Sequence, residues 1–550
     1  MHKKSQSLVA IDSSPLIATY GKEFNSTRTG YGPMNWKRET ENIKKRRKSA
    51  LEQGGAENVK RQHKRGRLTI RERLDIILDE GSFDEVGIGA GVSSRSNDGD
   101  LEETAFTPAN FILGFGKITG RLVVIGGEDF TIKGGTPSAA GLRKSVYAEE
   151  LACQYQVPLI RLHEGAGGSV GGAGGKSLPQ PVFAQPRFRS VARAMASVPV
   201  ASAALGPVAG MPAARLVASH FTVMPRENAQ VLVAGPAVVE RALGERKTKE
   251  ELGNAQIHTT NGVVDNIAED EQHALDQIKR FLSYLPANVH ELAPTVRVEE
   301  PDSGEPDHLA EIVPRDRRLL YEMRRVIDGV VDRNSFFEMS KDYGPGQITG
   351  LARMAGQSVG IWANDCHHMA GAMTADGAQK VKRFIEFCET FHLPLICFVD
   401  EPGFMIGSQA ERDGTIRYGA SVVLTAAMTN VPWASIVVRK SFGVAQAAHY
   451  GPDAYVLAWP SAEMGALPVE GGVAVAFKRE IEASDDPDAR RRELEAEYGA
   501  QRSPDDRAQA FAVHELIDPR ETRPMLCRWI ERVTPLLPRL LGETGFTIRP

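Results

Sequence analysis

"GRLVVIGGEDFTIKGGTPSAAGLRKSVYAEELACQYQVPLI", Gly120 to Ile160, sets the architecture, because the chain contains it twice. Shifted by 236 positions, it lies without a gap over "GQSVGIWANDCHHMAGAMTADGAQKVKRFIEFCETFHLPLI", Gly356 to Ile396. Twelve of the 41 pairs are identical, among them Gly120/Gly356, Asp129/Asp365, Gly135/Gly371, Gly141/Gly377, Lys144/Lys380 and Pro158/Pro394. Average residue usage would give about two or three. Each copy reads as an apolar strand, a glycine-rich turn, a helix of 3.6 periodicity over residues 139–156 or 375–392, and a second apolar run introduced by proline. Strands alternating with helices imply parallel βαβ units, so the expectation is an α/β chain of two related domains.

The repeat continues outward. "VPVASAALGPVAGMPAA" from Val198 matches "VPWASIVVRKSFGVAQAA" from Val431 at a shift of 233, which sets Gly210 opposite Gly443 and Met211 opposite Val444. A strand that ends at glycine and feeds a helix presents backbone N–H groups where negative charge is favoured. Two such turns suit two developing oxyanions, and so point to chemistry at carbonyls. The alternative is that both glycines only let a helix pack closely on a strand. Glu164 and Asp400, matched by the 236 shift at strand ends, form a candidate acid/base pair, with helix capping or loop bonding as the commoner use of each. "HEGAGGSVGGAGG" from His163 lacks the spacing of a dinucleotide loop, and no phosphate loop, Gly-x-Ser-x-Gly elbow or His-Glu-x-x-His occurs.

A chain of 550 residues exceeds what one core serves. "APTVRVEEPDSGEPDHLAEIVPRD", rich in proline and acid, sets a boundary near 300, giving an N-terminal tail 1–40 and domains 41–300 and 301–550. Glu41 to Arg67 is basic and helix-like, a solvated face or docking arm. A net charge of -4 gives no bulk attraction to nucleic acid or a membrane surface, and no apolar run reaches 18 residues. The five cysteines, without CxxC spacing, read as reduced and buried, with neither disulfides nor a metal site. The first 30 residues lack a secretory h-region, so the expected location is the cytoplasm, or the mitochondrial matrix in a eukaryote.

Several further segments carry a resemblance. "QHKRGRLTIRERLDIILDEGSF" (Gln62 to Phe83), "GGTPSAAG" (Gly134 to Gly141), "ELGNAQIH" (Glu251 to His258), "VDEPGF" (Val399 to Phe404) and "IDPRETR" (Ile517 to Arg523) appear in the order seen in the carboxyltransferase (beta) subunit of biotin-dependent acyl-CoA carboxylases. The chain resembles that family, of the propionyl-CoA and methylcrotonoyl-CoA carboxylase type, over roughly residues 40–550. The resemblance implies two crotonase-like domains, each a βαβ superhelix, assembled as a homo-hexamer (a trimer of dimers) with each active site between the N-domain of one subunit and the C-domain of its neighbour. It implies carboxybiotin on a separate carrier domain, a biotin carboxylase partner, acyl-CoA as substrate and no metal in this subunit. CO2 would pass to the α, or vinylogous γ, carbon of the acyl-CoA through an enolate.

By position in those motifs, Gly210 and Met211 would hold the thioester oxyanion, with Ala209, Gly167 and Gly168 beside it, and Gly443 and Val444 would hold the biotin ureido oxyanion. The sequence departs from the family pattern here. The first turn reads Ala209-Gly210-Met211-Pro212 where Ala-Gly-Gly-Ala is typical, and Pro212 has no N–H. Val444 stands where glycine or alanine is usual. Rival readings are a biotin-dependent decarboxylase subunit, a biotin-free hydratase or isomerase using Glu164, and a non-catalytic scaffold.

Overall fold

The computed structural model describes residues 35–95, 103–167, 187–297, 306–316, 318–500 and 503–544. The chain divides between Lys45 and Arg46, and both large sheets lie in the unit that begins at Arg46.

The duplication is visible strand for strand. The first sheet contains β1 (Asp84–Glu85), β2 (Phe111–Ile118), β3 (Arg121–Glu128), β4 (Leu159–Gly165), β5 (Val200–Ala209), β6 (Phe221–Pro225), β7 (Gln230–Leu232) and β8 (Asn266–Ala268). Their order is β1-β2-β3-β4-β5-β6-β8, with β7 on the far end of β5. The second sheet contains β9 (Phe337–Met339), β10 (Gln347–Met354), β11 (Gln357–Asn364), β12 (Leu395–Glu401), β13 (Trp433–Phe442), β14 (Tyr455–Ala458), β15 (Glu463–Gly465) and β16 (Glu515–Leu516), in the same order with β15 on β13. In each, the first two pairings are antiparallel and the rest parallel.

Local chemistry explains the repeat. Thr119-Gly120 and Ala355-Gly356 both have positive φ, the two-residue hairpin turn whose twist suits β2–β3 and β10–β11. Three helices position the site: α1 (Ala139–Tyr155), α2 (Met211–Val217) and α3 (Ala375–Thr390). The equivalent pair, α1 and α3, begin where Ser138 Oγ and Thr374 Oγ1 each accept an N–H at 3.0 Å, from Gly141 and Gly377. Every residue of β4 and β12 is buried, as expected for parallel strands covered on both faces. The helices and strands expected from the repeat thus stand within two residues of where periodicity put them. Glu41 to Arg67 is helical in two pieces, Lys37–Leu51 and Ala56–Lys64.

The halves share a core. Phe221 stacks on Phe281 with centroids 4.9 Å apart and meets the ring of Phe337 on β9 at 5.4 Å. Asp265, from the first half, pairs with Arg383 on α3 at 2.7 Å and accepts from Ser340 Oγ. Leu309, within the proline-rich segment near the proposed boundary, is buried in the second core. The five cysteines are free; Cys366, Cys388 and Cys397 are buried, Cys153 and Cys527 half-buried. Among the described residues no helix is long and apolar enough to cross a membrane.

Candidate active site

Both glycine turns form at the same point of their sheets, after the longest strand. β5 ends at Ala209, Gly210 turns the chain at φ 67°, and α2 begins without a capping side chain. β13 ends at Phe442, Gly443 turns it at φ 66°, and a 3-10 turn over Ala445–His449 follows Val444. Positive φ at both explains why glycine recurs. In each case β7 or β15 pairs alongside the last three residues of the strand and fixes the direction in which the turn opens.

The two turns differ in what surrounds them. A Cβ on Gly210 would lie 2.7 Å from Gly167 Cα, and one on Gly167 would lie 2.7 Å from Gly210 Cα and 2.8 Å from Ala209 O. Gly167, two residues past β4, therefore rests backbone to backbone on the first turn, which brings Gly167, Ala209, Gly210 and Met211 together. Gly168 lies outside the described residues. The second turn is open: the nearest atom to a Cβ on Gly443 is Ala466 O at 3.8 Å, and Val444 is 64 % exposed. A cavity of about 320 Å³ opens beside it, lined by Gln446, Tyr450, Met464, Gly465 and Arg507.

The Gly443 N–H donates to Gly465 O at 3.2 Å, so it is already engaged in holding β15 to the turn. The donors without a partner inside the following 3-10 turn begin with Val444 N–H. On the first turn the corresponding group is Met211 N–H, the first of α2, and Pro212 at the second position supplies none.

The carboxylates singled out in the sequence are ion-paired and fully buried, and neither caps a helix. Glu164 is gripped by Arg67 at 2.6 Å, Arg73 at 2.7 Å and Gln62 at 2.7 Å. Asp400 is held by Arg439 at 3.0 Å, by Tyr321 OH at 3.0 Å and by Lys440, whose N–H reaches it at 3.1 Å. Burial, with Asp400 alongside, pushes the Tyr321 hydroxyl well above its ordinary range. Through these bonds both carboxylates anchor strand ends.

Sequence reasoning missed two buried polar groups beneath the turns. Under the first, Glu128 at the end of β3 faces His163 Nδ1 at 3.1 Å; burial raises this carboxyl, but the imidazole and nearby N–H groups carry it below its usual value. Under the second, Glu401, Asn364 and His449 form a fully buried cluster. Glu401 lies within the quoted "VDEPGF", and only its burial reveals the chemistry. A cavity of about 450 Å³ lies between the halves; of its cations, Arg383 and Lys382 are paired with Asp265 and Glu386 and Lys380 Nζ donates to Gln347 O, and none of its lining residues belongs to either turn.

Comparison with known proteins identifies the family. Residues 61–532 match the carboxyl transferase domain family. The chain is 35 % identical over 494 residues to the propionyl-CoA carboxylase carboxyltransferase subunit of Haloferax mediterranei, covering 88 % of this chain and 93 % of that one. It is 31 % identical over 479 residues to the methylmalonyl-CoA decarboxylase subunit alpha of Veillonella parvula, covering 86 % and 91 %. Among solved structures, the transcarboxylase 12S hexamer with methylmalonyl-coenzyme A bound superposes with a TM-score of 0.80 at 32 % identity, over 96 % of this chain and 98 % of that one. That likeness confirms the pair of crotonase-like α/β domains. The chain belongs to the carboxyl transferase family, and it is an enzyme of acyl-CoA carboxyl transfer.

Proposed function

We propose that the chain is the carboxyltransferase subunit of a biotin-dependent acyl-CoA carboxylase, with residues 41–300 forming the acyl-CoA side and 301–550 the biotin side. The observation that carries this reading is the pair of glycine turns, alike in backbone and different in surroundings. The first is closed on one side by the Gly167 loop and presents Met211 N–H to a thioester oxygen. The second is open beside a cavity and presents Val444 N–H to a ureido oxygen. The exposed turn and the adjoining 320 Å³ cavity fit a ring arriving on a flexible carrier. Carboxybiotin, when bound, supplies CO2 and then a basic nitrogen for the acyl α-proton. The chain's own part is to fix N–H donors where charge develops, commonly the largest catalytic term.

Biotin carboxylase and carrier then reside on other chains, and the subunit assembles as a homo-hexamer. The decarboxylase likeness favours a second reading, the same transfer run in the opposite direction, because identical donors serve both. The test is incorporation of labelled bicarbonate across a panel of acyl-CoAs. Incorporation is expected only with ATP, biotin carboxylase and biotinylated carrier present. Incorporation by the purified chain alone overturns the proposal, and label moving only from a carboxylated acyl-CoA onto biotin selects the decarboxylase.

A further inference from the structure

The Glu401 cluster joins the two segments that flank the second turn. Glu401 Oε1 accepts the N–H groups of Gly403 at 2.9 Å and Met373 at 3.3 Å, which fixes the loop leaving β12. Its Oε2 accepts from Nδ2 of Asn364 at 3.1 Å. Asn364 Oδ1 faces His449 Nε2 at 3.1 Å, and His449 closes the 3-10 turn that starts after Val444, with Nδ1 facing Ala445 O at 3.4 Å. Glu401 also pairs in register with Ser441, three residues before Val444.

The same positions in the first half are Gly165, Glu128 and Leu216, so the network is not inherited from the duplication. It belongs to the second turn alone. Among the groups facing Glu401, Lys440 on β13 is committed to Asp400 at 3.5 Å and to Ala370 O at 2.8 Å. Asp400 precedes it on β12 and is already paired with Arg439. On β12 the Cys397 thiol is pushed up by burial and by Glu401, and stays neutral. His449, 3.9 Å from Oε2 and stacked on Trp362, is held to about 3 by burial and is neutral as well. No cation is bonded to Glu401 among the described residues, and a buried unpaired carboxylate is costly. A negative charge there would also oppose charge developing at Val444 N–H, in a region where low polarity strengthens the repulsion.

On the carboxyltransferase reading, we infer that Glu401 is a positioning residue for the biotin-side turn, tying the loop after β12 to the turn after β13 through Asn364 and His449, and acting in its uncharged form. Burial brings its carboxyl up to about 8, so ionisation falls within an accessible pH range. The experiment measures carboxyl transfer from methylmalonyl-CoA to free biotin between pH 6.5 and 9.5, in wild type and in Glu401→Gln, which stays neutral and keeps an acceptor oxygen. A single group of this kind gives a fall of about tenfold between pH 7 and pH 9 in wild type, and none in Glu401→Gln, with the acyl-CoA Kd unchanged in both. The infrared band of a protonated carboxyl should be present in wild type at pH 7, fall about tenfold by pH 9 and be missing from Glu401→Gln. An unaltered alkaline fall in Glu401→Gln, or absence of the band at pH 7, overturns the role of Glu401. A protein that shows the band but transfers nothing to biotin at any pH, from methylmalonyl-CoA or from any other carboxylated acyl-CoA of the panel, overturns the proposed function instead, and the role of Glu401 with it.

Discussion

Met211 and Val444 occupy equivalent places, and at both a proline would remove one N–H with little change of backbone: Met211 is the first residue of α2, and Val444 sits at φ -70°, the value proline imposes. Each replacement should therefore lower turnover by about 10² to 10³ while melting temperature holds, if each N–H faces a developing oxyanion. Stopped assays on the two folded variants check this, and wild-type turnover in both would reduce the turns to packing features. Gly443→Pro is the poorer probe, because the N–H it removes already bonds Gly465 O. Glu164→Gln should act differently, leaving Arg67 and Arg73 without their shared charge and costing about 3 kcal/mol of stability in urea unfolding, with turnover per folded molecule retained. Glu401 adds a pH dependence of stability whose sign is fixed by its raised carboxyl. Between about 4.3, the unfolded value, and about 8, the folded chain holds a proton that the unfolded chain has released. Stability from this group is full below that window and is lost as pH rises through it, so the melting temperature of Glu401→Gln should fall less than that of wild type between pH 5 and pH 8.

At the scale of elements, legibility followed local rules. The hairpin glycines, the Ser138 and Thr374 caps, and the apolar runs of β4 and β12 announce themselves, because turn, cap and burial each demand a residue type at a fixed place. Replacing either cap by alanine should cost about 1 kcal/mol, read as a lowered melting temperature of similar size for the two halves. Both turns of the candidate site were legible for the same reason, since a glycine at positive φ after an apolar run has few alternatives. The partners were not. Arg67 and Arg73 reach Glu164 from a segment almost 100 residues earlier, and His449 reaches Asn364 across 85, distances over which spacing carries no signal. The openness of the second turn was likewise hidden, because it depends on what does not pack there. That Gly443 commits its N–H to β15 depends on a strand pairing that local sequence does not specify.

At the scale of the whole molecule, each half carries one turn, and the question is whether the two turns of one chain serve one another. The proposed assembly answers that they do not: the first turn of one subunit would work with the second turn of a neighbour. Mixed hexamers decide it. Met211→Pro disables only the first turn and Val444→Pro only the second, so each homogeneous variant has no intact site under either arrangement. If sites form between subunits, co-expressed variants that assemble at random should place an intact first turn opposite an intact second turn at about a quarter of the sites, and recover about that share of wild-type turnover. If both turns of a site came from one chain, no mixture would contain an intact pair, and activity would remain at the level of the single variants. The particles must match the wild-type assembly in size by light scattering, so that lost assembly is not read as lost chemistry. Co-expression lets the two variants mix before any assembly is complete. Turnover near one quarter would establish that the duplication within the chain is completed only by a second copy of it, and turnover at the variant background would return both turns to a single subunit.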